Sequence, residues 1–259
     1  MKMIREKEIF MYQEERLKKI LDWLQEEQVL SNQELMKRLQ ISRDTARRDI
    51  IKLTEEGKAI RTHGGIATAD FRLQAANYKT RKTDNKEGKR RIGKKATQFL
   101  SENGIYFFDA STHMPYVCSN LKKMKVYTHS LDNLNLLAAS PNVEVYALGG
   151  NLNKENRFFY GLGILEKIRE IRFDAALLGA AAVKEDGIYF VDEEDAYIKK
   201  IAAQNAEKVI VLADYPKFQR QAPFKAIELE EIDYMIVDRE PDSYWKEILQ
   251  EKQVIWVMG

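Results

Sequence analysis

Seven short apolar runs recur through the C-terminal two thirds of the chain, and they restrict its fold more than any other feature. They are IYFFDA (105–110), KVYTHS (125–130), VEVYALGG (143–150), FDAALLGA (173–180), KVIVLAD (208–214), YMIVD (234–238) and VIWVM (254–258). The apolar residues are consecutive, not alternate, so both faces of such a strand must be covered, and helix-length segments separate the runs. This pattern predicts a mostly parallel sheet flanked by helices, an α/β domain. Most of the runs end in small or polar residues: Asp109, Thr128 and Ser130, Gly149 and Gly150, Gly179, Asp214 and Asp238. Ligands of open α/β sheets bind outside the carboxyl ends of the strands, where small residues let backbone amides approach an anion and helix N-termini add positive partial charge. Any one of these residues serves equally well as a turn. Together they predict a pocket.

The N-terminal quarter follows a different rule. Leu17, Ile20, Leu21 and Leu24 fall at i, i+3, i+4 and i+7, which predicts one helix with a single apolar stripe. Ser31-Asn32-Gln33-Glu34 is a capping box that opens a second, short helix, with Leu35 and Leu39 on its buried side. After a turn at Gln40-Ile41, Ser42 caps a third helix whose Ala46, Ile50 and Leu53 face inward, so Asp44, Arg47 and Arg48 point away from the core. Gly57 stops that helix, and residues 58–66 then make a short strand, a basic Gly-Gly turn and a second strand. Exposed arginines on a helix are usually only solvated. Three helices in this order, followed by a basic hairpin, predict a winged helix-turn-helix that sets its third helix in the major groove, where an arginine fork binds guanine edges or phosphates.

The chain has 259 residues, long enough for a small module of roughly 60 residues and a larger one. We place the winged helix-turn-helix at 11–68, a linker at 69–90 and the α/β domain at 91–259. With 44% hydrophobic and 32% charged residues the composition supports a core and excludes disorder. Net charge is only +2, so a case for DNA binding must rest on local density. Residues 31–66 carry eight Lys/Arg against five Asp/Glu, and residues 71–95 carry ten against two, the latter fitting a solvated helix and linker. No apolar run is long enough to span a bilayer and no signal-peptide core opens the chain, so a cytoplasmic protein with no membrane partner is expected. The single Cys118 suits a reducing compartment.

The run SNQELMKRLQISRDTARRDIIKLTEEGKAIRTHGGI resembles the DeoR family of transcription regulators. The family's Ser-x-x-Thr-x-Arg-Arg-Asp helix corresponds to Ser42, Thr45, Arg47, Arg48 and Asp49, and its Arg-Thr-His-Gly-Gly wing to residues 61–65. The resemblance implies binding to double-stranded operator DNA by Ser42, Arg43, Thr45, Arg47 and Arg48, with Arg61 and His63 near the phosphates. It continues into a sensor domain related to sugar-phosphate isomerases. The family's Asp-Ser-Gly-Thr-Thr phosphate loop appears as Asp109-Ala110-Ser111-Thr112-His113, its Thr-Asn-Ser as Thr128-His129-Ser130, its Gly-Gly pair as Gly149-Gly150, and its Asp-x-x-Lys-Phe loop as Asp214 to Phe218, which includes Lys217. The implied effector is a phosphorylated sugar or related small molecule, and the implied function is repression of a carbohydrate or related catabolic operon. Ser111 stands where the family has a glycine, so its side chain either obstructs phosphate or supplies a new hydrogen bond.

Other functions remain open at this point. A sugar-phosphate isomerase needs a carboxylate base, for which Asp192, Glu193 and Glu194 are available, although a solvated helix start explains them equally. A sensor pocket that no longer binds phosphate is another reading. A metal site of His113, Cys118 and His129, or a triad of Ser111, His129 and Asp109, lacks the surrounding sequence such sites require. No Gly-x-Gly-x-x-Gly or Gly-Lys-Ser/Thr loop is present, so no cofactor is expected. Because one recognition helix reads few bases, a homo-oligomer is expected.

Overall fold

The computed structural model describes residues 11–27, 29–62, 64–68, 78–119 and 121–259. The chain divides between Gln74 and Ala75 into two compact units. In the first, α1 (Gln13–Glu27), α2 (Asn32–Leu39) and α3 (Arg43–Glu55) pack Leu17, Ile20, Leu24, Leu35, Ala46, Ile50 and Leu53 into one core. The predicted caps form: Ser31 Oγ accepts from Glu34 N while Glu34 returns the bond to Ser31 N, and Ser42 Oγ accepts from Thr45 N. Gln40 takes the left-handed conformation at the turn (φ 53°) and Gly57 does so beyond α3 (φ 68°), a position that favours glycine. Strands β1 (Val29–Ser31), β2 (Ala59–Thr62) and β3 (Gly65–Thr68) form an antiparallel sheet in the order β1-β3-β2, with Thr62 opposite Gly65 at the tip of the wing.

All seven apolar runs become strands of one parallel sheet: β4 (Ile105–Phe108), β5 (Met124–Thr128), β6 (Val143–Ala147), β9 (Ala175–Gly179), β12 (Val209–Ala213), β14 (Tyr234–Val237) and β15 (Ile255–Met258). Their order is β15-β14-β12-β9-β4-β5-β6. Strand β12 shows why consecutive residues are apolar, since Val209, Val211 and Ala213 enter one core and Ile210 and Leu212 the other. Two additions carry no signal of parallel strands: a hairpin of β7 (Asn151–Asn153) and β8 (Phe158–Tyr160), and a small antiparallel sheet of β10 (Ala182–Lys184), β11 (Gly187–Phe190) and β13 (Phe224–Ile227). The crossover helices include α7 (Leu131–Leu137), α8 (Leu162–Arg169), α9 (Glu193–Gln204) and α10 (Ser243–Glu251), with α6 (Met114–Val117) a single turn after β4. Among the described residues no helix is long and apolar enough to cross a membrane.

The expected linker at 69–90 needs correction. Residues 69–77 lie outside the described residues, but α4 (Tyr78–Thr83) and α5 (Lys86–Ala96) belong to the second unit. Ile92 and Ala96 of α5 pack with Phe108, Val117 and Leu212, so this helix covers one face of the sheet. Its basic composition looks solvated, yet Lys89 is only 2% exposed. Composition alone hides the i, i+4 spacing of the two apolar residues that dock the helix.

Candidate functional site

Two regions carry the chemistry. On α3, Arg43, Arg47 and Arg48 are exposed, and among the described residues none has an ion-pair partner; Arg61 of β2 is likewise exposed. Ser42 caps the helix, its Oγ 2.9 Å from Thr45 Oγ1. His63 lies outside the described residues. The next residue after the two arginines reverses direction: Asp49 is completely buried and binds Arg16 of α1 through Nε (2.7 Å) and Nη2 (3.1 Å) as well as Gln13 Nε2 (3.0 Å). Arg47-Arg48-Asp49 therefore combines two outward cations with an inward anchor that fixes α3 on α1. The heptad-like spacing of apolar residues gave no sign of this pairing, because its partner lies 33 positions away.

The second region lies at the carboxyl ends of β4, β9 and β12, where the sheet runs outward in both directions from its middle. A cleft of about 480 Å³, open mouth included, is lined by Ala110, Ser111, Thr112, His113, Lys217 and Gly179 together with Arg81, Asn156, Asp192, Asp195 and Lys199. Beneath it runs a buried charge network. Lys199 Nζ, 4% exposed, binds Asp109 (2.9 Å) and Asp195 (2.7 Å) and lies 4.1 Å from the Phe190 ring centroid. Asp109 also accepts from Ser111 N (2.9 Å) and Gly179 N (2.7 Å), which ties the loop after β4 to the end of β9. An added Cβ on Gly179 would stand 2.3 Å from Ser111 Cβ, so this close approach requires glycine. His129 Nε2 meets Asp195 Oδ1 at 3.0 Å. Burial acts to raise the Asp195 pKa, but Lys199 and then His129 more than offset it and hold the carboxyl below the usual range.

Within the loop, His113 N donates to Ser111 Oγ (3.0 Å), and the His113 ring sits with Nδ1 3.2 Å from the same oxygen. Burial keeps the imidazole neutral despite Asp214, whose Oδ1 is 3.6 Å from Nε2, and pushes its pKa down to about 3. The ring shares one hydrogen bond with the Ser111 hydroxyl at Nδ1, while Nε2 has no hydrogen-bond partner among the described residues. The backbone amides of Ala110 and Thr112 have no hydrogen-bond acceptor among the described residues. Lys217 is 4% exposed on a 3₁₀ turn, where its backbone N donates to the Asp214 carbonyl (2.9 Å), and its ammonium has no hydrogen-bond or ion-pair partner among the described residues. Burial pushes its pKa down to about 7; Asp214 opposes the fall, while Arg220, Arg81 and Lys89 deepen it. Opposite, Asp192 accepts from Asn156 Nδ2 (3.0 Å) and Asn153 Nδ2 (3.3 Å), and burial and then Asp195 push its pKa up to about 6.

Of the expected effector residues, Ser111, Thr112, His113 and Lys217 meet in the cleft. Asp109 and His129 lie under it as supports. Gly149 and Gly150 are exposed and stand away from it, because the chain leaves β6 there for the β7–β8 hairpin, whose Tyr160 carbonyl would be 2.5 Å from a Cβ on Gly150. Arg81, Asn156, Asp192, Asp195 and Lys199 reach the cleft without a signal in the sequence beyond ordinary polar helix and turn residues. Asp192 alone stood out, as a possible base.

Residues 16–71 match the model of the DeoR-like helix-turn-helix domain, and residues 84–239 that of the DeoR C-terminal sensor domain. The chain is 36% identical to the HTH-type transcriptional repressor GlcR of Bacillus subtilis, over 94% of this chain and 95% of that protein. It is 29% identical to the L-fucose operon activator of Haemophilus influenzae, over 88% and 93%. With the glycerol-3-phosphate regulon repressor of Escherichia coli the identity is 24%, over 94% and 98%.

Proposed function

The chain belongs to the DeoR family of transcription regulators, and from that premise we propose that it represses a carbohydrate or related catabolic operon and releases its operator when a phosphorylated sugar occupies the cleft. One observation carries the effector class. Among the described residues the Lys217 ammonium has no hydrogen-bond or ion-pair partner, and it shares the cleft with a loop whose Ala110 and Thr112 amides have no acceptor among those residues. A phosphate in the cleft would accept from all three in charge-assisted bonds. Asp192 and Asn156 supply acceptors and a donor for sugar hydroxyls further along the same cleft. Ser111 and His113 shape the phosphate end. Asp109, His129, Asp195 and Lys199 hold that end in place.

The test is a screen of phosphorylated and unphosphorylated sugars for a rise in melting temperature, with release from operator DNA as the second readout. A ligand bound only by the native state stabilises it by about 2.7 kcal/mol at one hundred times its Kd. Stabilisation by neutral sugars and none by their phosphates would overturn the reading.

Operator recognition rests on α3. Ser42 and Thr45 set the start of the helix near the DNA, Arg43, Arg47 and Arg48 face the groove, and Arg61 and His63 reach the backbone from the wing. Arg47→Ala and Arg48→Ala are each expected to weaken operator binding by about 1–3 kcal/mol where the contact is to a base edge. A phosphate contact instead lowers affinity for all sequences and reduces the salt slope by about one. Electrophoretic or fluorescence titrations at several salt concentrations separate the two, and unchanged affinity in both variants would remove α3 from the interface. The regulator acts as a homo-oligomer, so light scattering of the free protein is expected to give at least a dimer. A monomer that binds one half-site tightly would contradict this.

A further inference from the structure

Arg81 is the one cleft-lining residue contributed by α4, and α4 is the first described element after the DNA-binding unit, whose last described residue is Thr68. Its guanidinium is held in an incomplete set of contacts. Nη2 donates to Asn156 Oδ1 at 2.5 Å, the ring of Tyr78 lies 5.7 Å away, and the buried Nε has no partner among the described residues. No carboxylate lies within ion-pair distance of it among those residues, although Asp195 and Asp192 are near enough to act on it electrostatically. Arg81 and Lys217 both line the cleft, and behind it Lys89 donates to the Arg81 carbonyl. The helix is therefore gripped at both ends of this residue, by its side chain in the cleft and by its carbonyl on α5. One turn earlier Tyr78 OH donates to Asp132 (2.5 Å), which Arg157 holds through two bonds of 3.0 Å.

Resting on the reading of the cleft given above, we propose that Arg81 is the residue through which an anion bound beside Lys217 acts on the DNA-binding unit, by drawing the guanidinium and so re-seating α4. The physical basis is the change in partner. A guanidinium has five donors in a fixed fork, and a neutral amide oxygen takes up one of them, whereas a phosphate takes two at once in stronger bonds. Tyr78 and the Arg81 carbonyl tie this six-residue helix to its surroundings, so a pull on the guanidinium is passed to those two contacts. A ligand alters DNA affinity only through contacts that differ between the two states of the regulator, and Arg81 provides such a contact on the segment that continues into the DNA-binding unit.

Hydrogen exchange of the full-length protein, with inorganic phosphate replacing chloride at constant ionic strength, tests the proposal. In wild type, phosphate is expected to slow exchange by about five- to tenfold both in the 109–114 loop and in α4. Arg81→Lys keeps the charge but not the fork, and is expected to retain the protection of the loop at higher phosphate while losing that of α4. Arg81→Ala serves as the second variant, and unchanged exchange in β9 and β12 certifies the fold of both. Protection of α4 that persists undiminished in the two variants would overturn the role of Arg81 while leaving the phosphate site intact. No protection of the loop in wild type would instead remove the cleft as a phosphate site, and the proposal with it.

Discussion

Lys217→Met is expected to make the C-terminal unit more stable and at the same time unresponsive to its effector. The lysine is 4% exposed and burial pushes its pKa down to about 7, from 10.5. The unfolded chain therefore binds more protons than the folded one between pH 7 and 10.5, so wild-type stability rises with pH through that window and is flat below it. At pH 7 the penalty removed by an uncharged side chain of similar length is on the order of 4 kcal/mol, with the attraction to Asp214 already set against burial in the shifted pKa. Denaturation midpoints measured at pH 6, 7.5 and 9 are expected to show a gain in the variant that shrinks as pH rises. Effector binding moves the other way. With the proposed phosphate contact made by the charged lysine, wild-type affinity is expected to fall above pH 7 and the variant to lose at least about tenfold, the equivalent of one charge-assisted bond. A variant that is less stable than wild type, or that keeps its effector midpoint, would show that Lys217 is a structural residue.

Arg16→Ala should cost the DNA-binding unit most of its stability. The substitution leaves Asp49, completely buried, with Gln13 as its single remaining side-chain donor among the described residues, and removing one partner of a buried pair costs about 3–5 kcal/mol. A core as small as this one has little to spare, since small domains bury a low fraction of their surface. Loss of operator binding with helical signal retained only from the C-terminal unit is the expected result. The double variant Arg16→Met, Asp49→Leu is expected to recover much of the loss, because apolar replacements of similar volume remove the stranded charge. A single variant that unfolds within 1 kcal/mol of wild type would mean that water reaches Asp49.

The sheet and the three-helix module were legible because they rest on local periodicity. The runs around Ile105, Ile210 and Tyr234 had to be covered on both faces, and Ser31 and Ser42 announce their helices through caps that close within three residues. The small antiparallel sheet was not legible, since β11 finds β13 at the distance of Tyr189 to Lys225 and neither run differs from a loop with aromatic residues. The cleft was half legible. Ser111, Thr112, His113 and Lys217 sit on turns next to strand ends, where position alone suggests a ligand. Arg81 and Lys199 sit on helices among other charges, and only the three-dimensional packing separates Lys199, which is buried on two carboxylates, from exposed Lys200 beside it. Gly149 and Gly150 were misleading for the converse reason, because a pair of glycines at a strand end serves a hairpin as readily as an anion.

The position of β4 in the sheet has a consequence for synthesis. It is the first of the seven strands to leave the ribosome, yet it lies inside the sheet beside the central β9, and Tyr106 to Phe108 wait for Ala175 to Leu177 before one of its two edges is paired. Contacts so distant in sequence form slowly, and an apolar strand with an open edge invites association with other nascent chains. The winged helix, by contrast, closes on neighbours within a few dozen residues. A nascent chain thus presents a finished DNA-binding module while the sheet of its second unit is still incomplete, and the interval between the two is set by the time needed to translate from Thr68 to Met258.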